Sequence, residues 1–295
     1  MTDIITGILE EGLTYAIMAL GVYLTYRILN FPDLSVDGTF PLGGAVTAAL
    51  LQAGVNPLVT LPVSFFAGAA AGMLTGWIHV KLRVRDLLSG IIMMTALYSL
   101  NLRIAGRANV PVFSRETIFD NTFLDKWVPT GVRPFLAVLL LFLMGMVMKR
   151  LLDWYLGTKS GSLLRAAGDN EALVTSLAKD KGTVKIIGLS ISNAFVALSG
   201  CLYCQKSGFF EISTGTGTMV IGLASVIIGM KLFQRRSSVK ATTAVIFGSI
   251  VYKTCVSAAI SLGMAASDLK LITAVLFLLI LAVSNGQKGQ VTANA

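Results

Sequence analysis

The chain has 295 residues, 55% hydrophobic and 13% charged, with a formal net charge of +9. Soluble domains carry roughly 25% charged residues, so the composition excludes an ordinary soluble domain and indicates a polytopic membrane protein. A soluble α/β protein would have no use for so many apolar runs close to the ~20 residues that cross a bilayer. The excess Lys and Arg sits in short connections between those runs, so nucleic acid is not an expected partner.

The start, MTDIITGILEEG, is acidic and does not read as a secretory signal peptide. Apolar segments follow at 11–29, 39–53, 57–80, 87–104, 134–154, 184–204, 218–233, 241–263 and 269–284. They predict an all-α polytopic membrane protein with about nine transmembrane helices in one domain, 1–295. The second segment is short, Gly-rich and preceded by NFPDLSVDG; the seventh is preceded by STGTGT. Broken, small-residue segments of this kind tend to line cavities rather than face lipid. His79, beside Lys81, reads as an interfacial packing residue. Cys201, Cys204 and Cys255 make no disulfide framework, and the CxxC at 201–204 reads as small core residues; no metal site and no cofactor is expected.

Orientation follows from the basic residues. Lys81, Arg83 and Arg85 lie in one connection, Lys149, Arg150, Lys159, Arg165, Lys179, Lys181 and Lys185 in another, and Lys231, Arg235, Arg236 and Lys240 in a third. These alternate connections are assigned to the cytoplasm of a cell-membrane protein. The C-terminal tail then falls inside, and an odd count leaves the N-terminus outside. The longest outer connection, 105–132, is polar and too short for a domain; it is expected to dock a partner outside the cell.

Residues 163–185, LLRAAGDNEALVTSLAKDKGTVK, form a polar island. Leu163, Leu164, Ala167, Ala172, Leu173 and Leu177 mark broken apolar stripes, and Gly168-Asp169-Asn170 breaks or caps a helix. Two short amphipathic helices at the cytoplasmic face are expected, lying at the interface or in a partner's groove. An ordinary solvated loop is the plainer alternative.

Polar groups at membrane depth usually face a cavity or the protein interior. The candidates for a translocation path are Asn30, Asp33, Ser35 and Asp37 around the broken second segment, Gly43 and Gly44 within it, Asn101 in the fourth and Asn193 in the sixth. Asp33 and Asp37 share a face if helical, or they cap the second helix or sit in a cytoplasmic turn. Asn193 with Ser190 and Ser192 can tie helices together instead. Lys253 either snorkels or pairs with an acid such as Asp37.

The island and the segment after it, with Arg165-Ala166, Asn170-Glu171-Ala172, Gly182, Lys185 and Ser199-Gly200, resemble the cytoplasmic coupling segment (155–183) of branched-chain amino acid and ribose-type ABC importer permeases. GLTYAIMALGVYLTYRILNFPDLSVDGTFPLGGAVTAAL, with Asn30-Phe31 before a Gly-rich broken helix, resembles the same family; PDLSVDGTF is similar to a subgroup associated with tryptophan or tyrosine uptake. The more common histidine-glycine-acid run after Asn-Phe is absent. The resemblance implies import of a small solute, an amino acid and possibly an aromatic one by subgroup. It implies partner ATP-binding cassette ATPase subunits, an extracytoplasmic substrate-binding protein and a second permease chain, a homodimer by default. The ATPase would grip Leu164, Arg165, Gly168, Asp169, Asn170, Glu171, Leu173 and Leu177, with Leu173 and Leu177 as apolar anchors. The chain has no GxxxxGK[ST] motif, so ATP hydrolysis is assigned to the partner. A membrane enzyme is disfavoured, since HExxH and GxSxG are missing. The alternative from another class is a secondary transporter driven by an ion gradient, with Asp33 and Asp37 as its coupling site.

Overall fold

The computed structural model describes residues 2–121, 126, 129, 131–169, 181–234, 239–262, 271, 273–275, 277 and 278. Helix α1, Thr2–Tyr23, continues through a wider π-helical stretch, Leu24–Ile28, in which the Leu29 N–H donates to the Leu24 carbonyl. Asn30 then adopts left-handed backbone with φ 53°, a conformation that asparagine tolerates better than most residues. The chain leaves the helix there and re-enters one only at α2, Val36–Gln52. Helix α3, Pro57–Lys81, begins with proline at its first position and an Asn56 side chain that accepts the Leu58 N–H at 2.9 Å, both strong start signals. Helix α4, Asp86–Ala105, stops at Gly106, whose φ of 76° is the left-handed cap that ends many helices.

Strand β1, Asn109–Pro111, follows, then α5, Arg133–Leu156, α6, Lys159–Asp169, and α7, Lys181–Ser207. Strand β2, Phe209–Glu211, pairs antiparallel with β1, Val110 opposite Phe210. A single 3-10 turn, Ile212–Gly215, leads into α8, Thr218–Leu232, and α9, Ala241–Ser261.

Among the described residues, seven helical stretches are long and apolar enough to span a membrane: those of α1, α3, α4, α5, α7 and α9, and the Ile212–Leu232 run that ends in α8. The chain is a multi-pass membrane protein. Of the nine crossings expected, these account for seven, and the other two segments are not established. Helix α2 has 17 residues, short of the ~20 that a full crossing needs. The segment at 269–284 lies mostly outside the described residues. The β1–β2 ribbon is a small departure from an all-helical chain.

Helix α7 is the hub. In its spanning window 72% of residues are buried, against 33% for α5. Its serines face different neighbours: Ser190 Oγ donates to the Ala69 carbonyl of α3, Ser192 Oγ to Gly21 of α1 and Ser199 Oγ to Thr14 of α1. In lipid, such interhelical bonds contribute about 0.6 kcal/mol each on average. Gly72 of α3 lies so close to α7 that a Cβ would fall on the Leu189 carbonyl, the close backbone approach that small residues permit. Outward, Phe66, Trp77, Phe142 and Leu143 are exposed, as expected of helices whose outer faces meet hydrocarbon.

The helix ends sort into two groups. At the basic end, Asp153 of α5 accepts from Lys149 at 3.0 Å and from Thr242 of α9 at 2.7 Å, and His79 Nδ1 lies 2.8 Å from the Val84 carbonyl while its ring meets Phe31 edge-on. At the other end, Gln52 reaches the Pro111 carbonyl, Gln205 reaches Thr60, and Lys206 pairs with Glu10.

Candidate functional site

The interrupted stretch between α1 and α2 carries the first of the expected polar residues. Asp33 is fully buried, and its Oδ1 accepts the Ser35 N–H at 2.9 Å and the Ser35 hydroxyl at 2.6 Å. Its Oδ2 accepts Asn193 Nδ2 at 2.8 Å. Asp33 therefore turns the chain into α2 and ties that turn to the middle of α7. Each donor offsets part of the large cost of burying a carboxylate.

Asp37, in the first turn of α2, is half-buried and bonds elsewhere. Its carboxylate accepts the Gly217 N–H at 3.0 Å, the Thr218 hydroxyl at 3.0 Å and the Met219 N–H at 2.8 Å. Those amides belong to the start of α8, whose first N–H groups have no partner within their own helix. An acid there also sits at the positive end of the helix dipole. Asp33 and Asp37 thus do not act as a pair: one holds α7, the other α8. Asp37 caps a helix, but α8 rather than its own. The two interrupted helices start beside each other and run apart, α2 toward the β1–β2 end and α8 toward the basic end. Discontinuous helices meeting at their N-termini are a common construction for solute sites in transporters.

A cavity of about 420 Å³ opens beside this junction, between α2, α4 and the turn before α8. Asp37, Tyr98, Ser99, Asn101, Ser213 and Thr216 are among its lining. Asn101 is fully buried; its Nδ2 donates to the Gly38 carbonyl at 3.0 Å, and its Oδ1 has no partner among the described residues. Thr95, Tyr98 and Ser99 form an exposed polar stripe on an otherwise apolar α4. Sequence reasoning missed that stripe, although its i, i+3, i+4 spacing within a spanning segment was a legible signal.

A second cavity, about 330 Å³, lies between α1, α7, α8 and α9, with Tyr15, Tyr203 and Tyr252 in its wall. Lys253 pairs there with Glu11 at 2.7 Å and stands 4.2 Å from the Tyr15 ring centroid. Of the two fates expected for Lys253, pairing holds, but the partner is Glu11 and not Asp37, whose oxygens are engaged by α8.

Other expected path residues do not line either cavity. Asn30 is exposed at the turn after α1. A Cβ at Gly43 would fall on the Ala197 carbonyl, and one at Gly44 would meet the Phe210 ring at 3.1 Å. These glycines let α2 press against α7 and the β2 strand. Cys201 and Cys204 are buried in α7, Cys201 beside Thr60.

In the expected coupling segment, α6 has two faces. Leu164 and Ala167 are buried in the main core, while Ser162 and Arg165 are exposed. Leu164 is therefore corrected from a partner contact to an anchor within this chain. Gly168 abuts the end of α1 so closely that a Cβ would fall on the Ile28 carbonyl. Asp169 ends α6; Asn170, Glu171, Leu173 and Leu177 lie outside the described residues.

Comparison with known proteins agrees over almost the whole chain. Residues 4–284 match the family model described as branched-chain amino acid transport system / permease component. The chain is 42% identical over 282 residues to the tyrosine transport system permease protein of Clostridioides difficile (strain R20291), covering 95% of this chain and 91% of that one. It is 30% identical over 225 residues to the ribose import permease protein RbsC of Escherichia coli (strain K12), covering 76% of this chain and 68% of that one. It is 26% identical over 244 residues to the probable branched-chain amino acid transport permease protein LivH of Methanocaldococcus jannaschii, covering 76% and 74%. No solved structure matches. The chain belongs to the branched-chain amino acid transport system permease family, the membrane-spanning components of ABC-type transport systems.

Proposed function

We propose that this permease imports an amino acid of the tyrosine kind, using ATP hydrolysed by a separate ATPase subunit and solute delivered by an extracytoplasmic binding protein. The observation that carries the reading is the polar cavity at the junction of the interrupted helices α2 and α8, in a chain closely similar to a tyrosine transport permease. The basic end faces the cytoplasm, with the C-terminus on the same side. Two copies of the chain enclose the path, and 1–295 acts as one transmembrane domain.

Coupling runs through α6. Its exposed face, with Arg165, and the following residues through Leu177 meet the ATPase. Its buried face rests on the end of α1 through Leu164 and Gly168. A push there reaches the Leu29–Ser35 turn, then α2, then α8 through Asp37. Rigid elements joined by such contacts are suited to switching between two packings. The 105–132 connection, tied down by β1, meets the binding protein.

The test is reconstitution in vesicles with its partner ATPase and binding protein. ATP-dependent accumulation of L-tyrosine is expected. Accumulation by the permease alone on a proton or sodium gradient would overturn the reading in favour of a secondary transporter.

A further inference from the structure

We propose that Asn101 Oδ1 receives the ammonium group of the solute, so that the permease itself carries a selective amino-acid site in the cavity between α2, α4 and the turn before α8. The inference rests on the amino-acid reading above and adds a recognition residue to it. The amide orientation is fixed chemically: only Nδ2 can donate to the Gly38 carbonyl at 3.0 Å, which leaves Oδ1 on the opposite side of the group. Asn101 lines the cavity, and Oδ1 is buried without a partner among the described residues. A buried acceptor left unpaired is costly, and an N–H donor in the cavity removes that cost.

The rest of the lining fits the same ligand. Among the described residues it holds one acid, Asp37, and no base, so its potential favours a cation. The exposed hydroxyls of Ser99 and Thr216 can donate to a carboxylate. Tyr98 offers a ring face for an aromatic side chain. The volume, about 420 Å³, lies within the roughly 300–1,000 Å³ of small-molecule sites.

The experiment measures binding of L-tyrosine and of 3-(4-hydroxyphenyl)propionate, which lacks the ammonium, to the intact permease in nanodiscs. L-Tyrosine is expected to bind saturably, and the deaminated compound at least about tenfold more weakly. Asn101→Leu brings the two affinities together, whereas Ser99→Trp fills the cavity from its open side and abolishes both. No saturable tyrosine binding, as when only a structural water meets Asn101, overturns the site. So does an unchanged preference in Asn101→Leu. Should that variant not fold, retained binding in Ser99→Trp overturns it equally. Tyrosine transport by the assembled system without binding to the permease sinks this inference alone; absence of tyrosine transport sinks the functional reading, whatever the permease binds.

Discussion

Asp37 and Met219 stand 182 positions apart in the chain, yet the carboxylate of the first accepts the backbone N–H of the second at 2.8 Å. One side chain in the first turn of α2 therefore supplies the missing partner for the start of α8. The junction of the two interrupted helices depends on it.

Asp37→Ala removes three bonds at once and leaves the Gly217 and Met219 amides without their acceptor. A loss of about 1–3 kcal/mol is expected, together with a fall in transport, because the two helices are no longer held in register. Thermal unfolding in detergent checks the first, and vesicle uptake the second. Unchanged values for both would show that α8 needs no such cap.

Asn193→Leu takes one donor from a fully buried carboxylate. Hydrogen bonds to charged groups contribute about 1.5–3 kcal/mol, so a destabilisation of that size is expected. Adding Asp33→Asn removes the stranded charge and should recover part of the loss. Strictly additive effects in the double variant would contradict the direct bond.

Gly43→Val forces a side chain onto the Ala197 carbonyl. Overpacking of this kind costs about 1–3 kcal/mol or more, and no rotamer relieves it because the obstacle meets Cβ itself. Expression and melting temperature should both fall. A path-lining glycine facing open space would instead accept the change with normal stability.

Arg165→Glu and Gly168→Leu probe α6 from opposite sides. Arg165 is exposed, so its reversal should leave folding intact and reduce copurification of the ATPase and ATP-driven uptake. Gly168 is pressed against Ile28, so Gly168→Leu should leave ATPase docking in place and lose uptake, because the contact to α1 is broken. Equal behaviour of the two variants would remove the distinction between a partner-facing and a body-facing side.

Much of the bundle was legible in the residues. Apolar length marked most spanning segments, and Ser190, Ser192 and Asn193 were readable as interhelical ties. The roles of Asn30 and Gly43–Gly44 are not legible, because polarity and small size look alike in a path, a turn and a helix contact. The stripe Thr95, Tyr98 and Ser99 carries neither charge nor amide, and hydroxyls within a helix are common enough to hide it.

The order of apolar runs, the placement of Lys and Arg, and the breaks before the second and seventh segments follow from the sequence by itself. Each rests on local chemistry: transfer of side chains to lipid, and the preferences of Gly, Pro and Asn for turns. Which acid meets which helix was decided only in three dimensions. Asp33 and Asp37 are equivalent in type and four positions apart. A carboxylate takes whichever donors the packing presents, and those came from residues far along the chain, in α7 for one and α8 for the other.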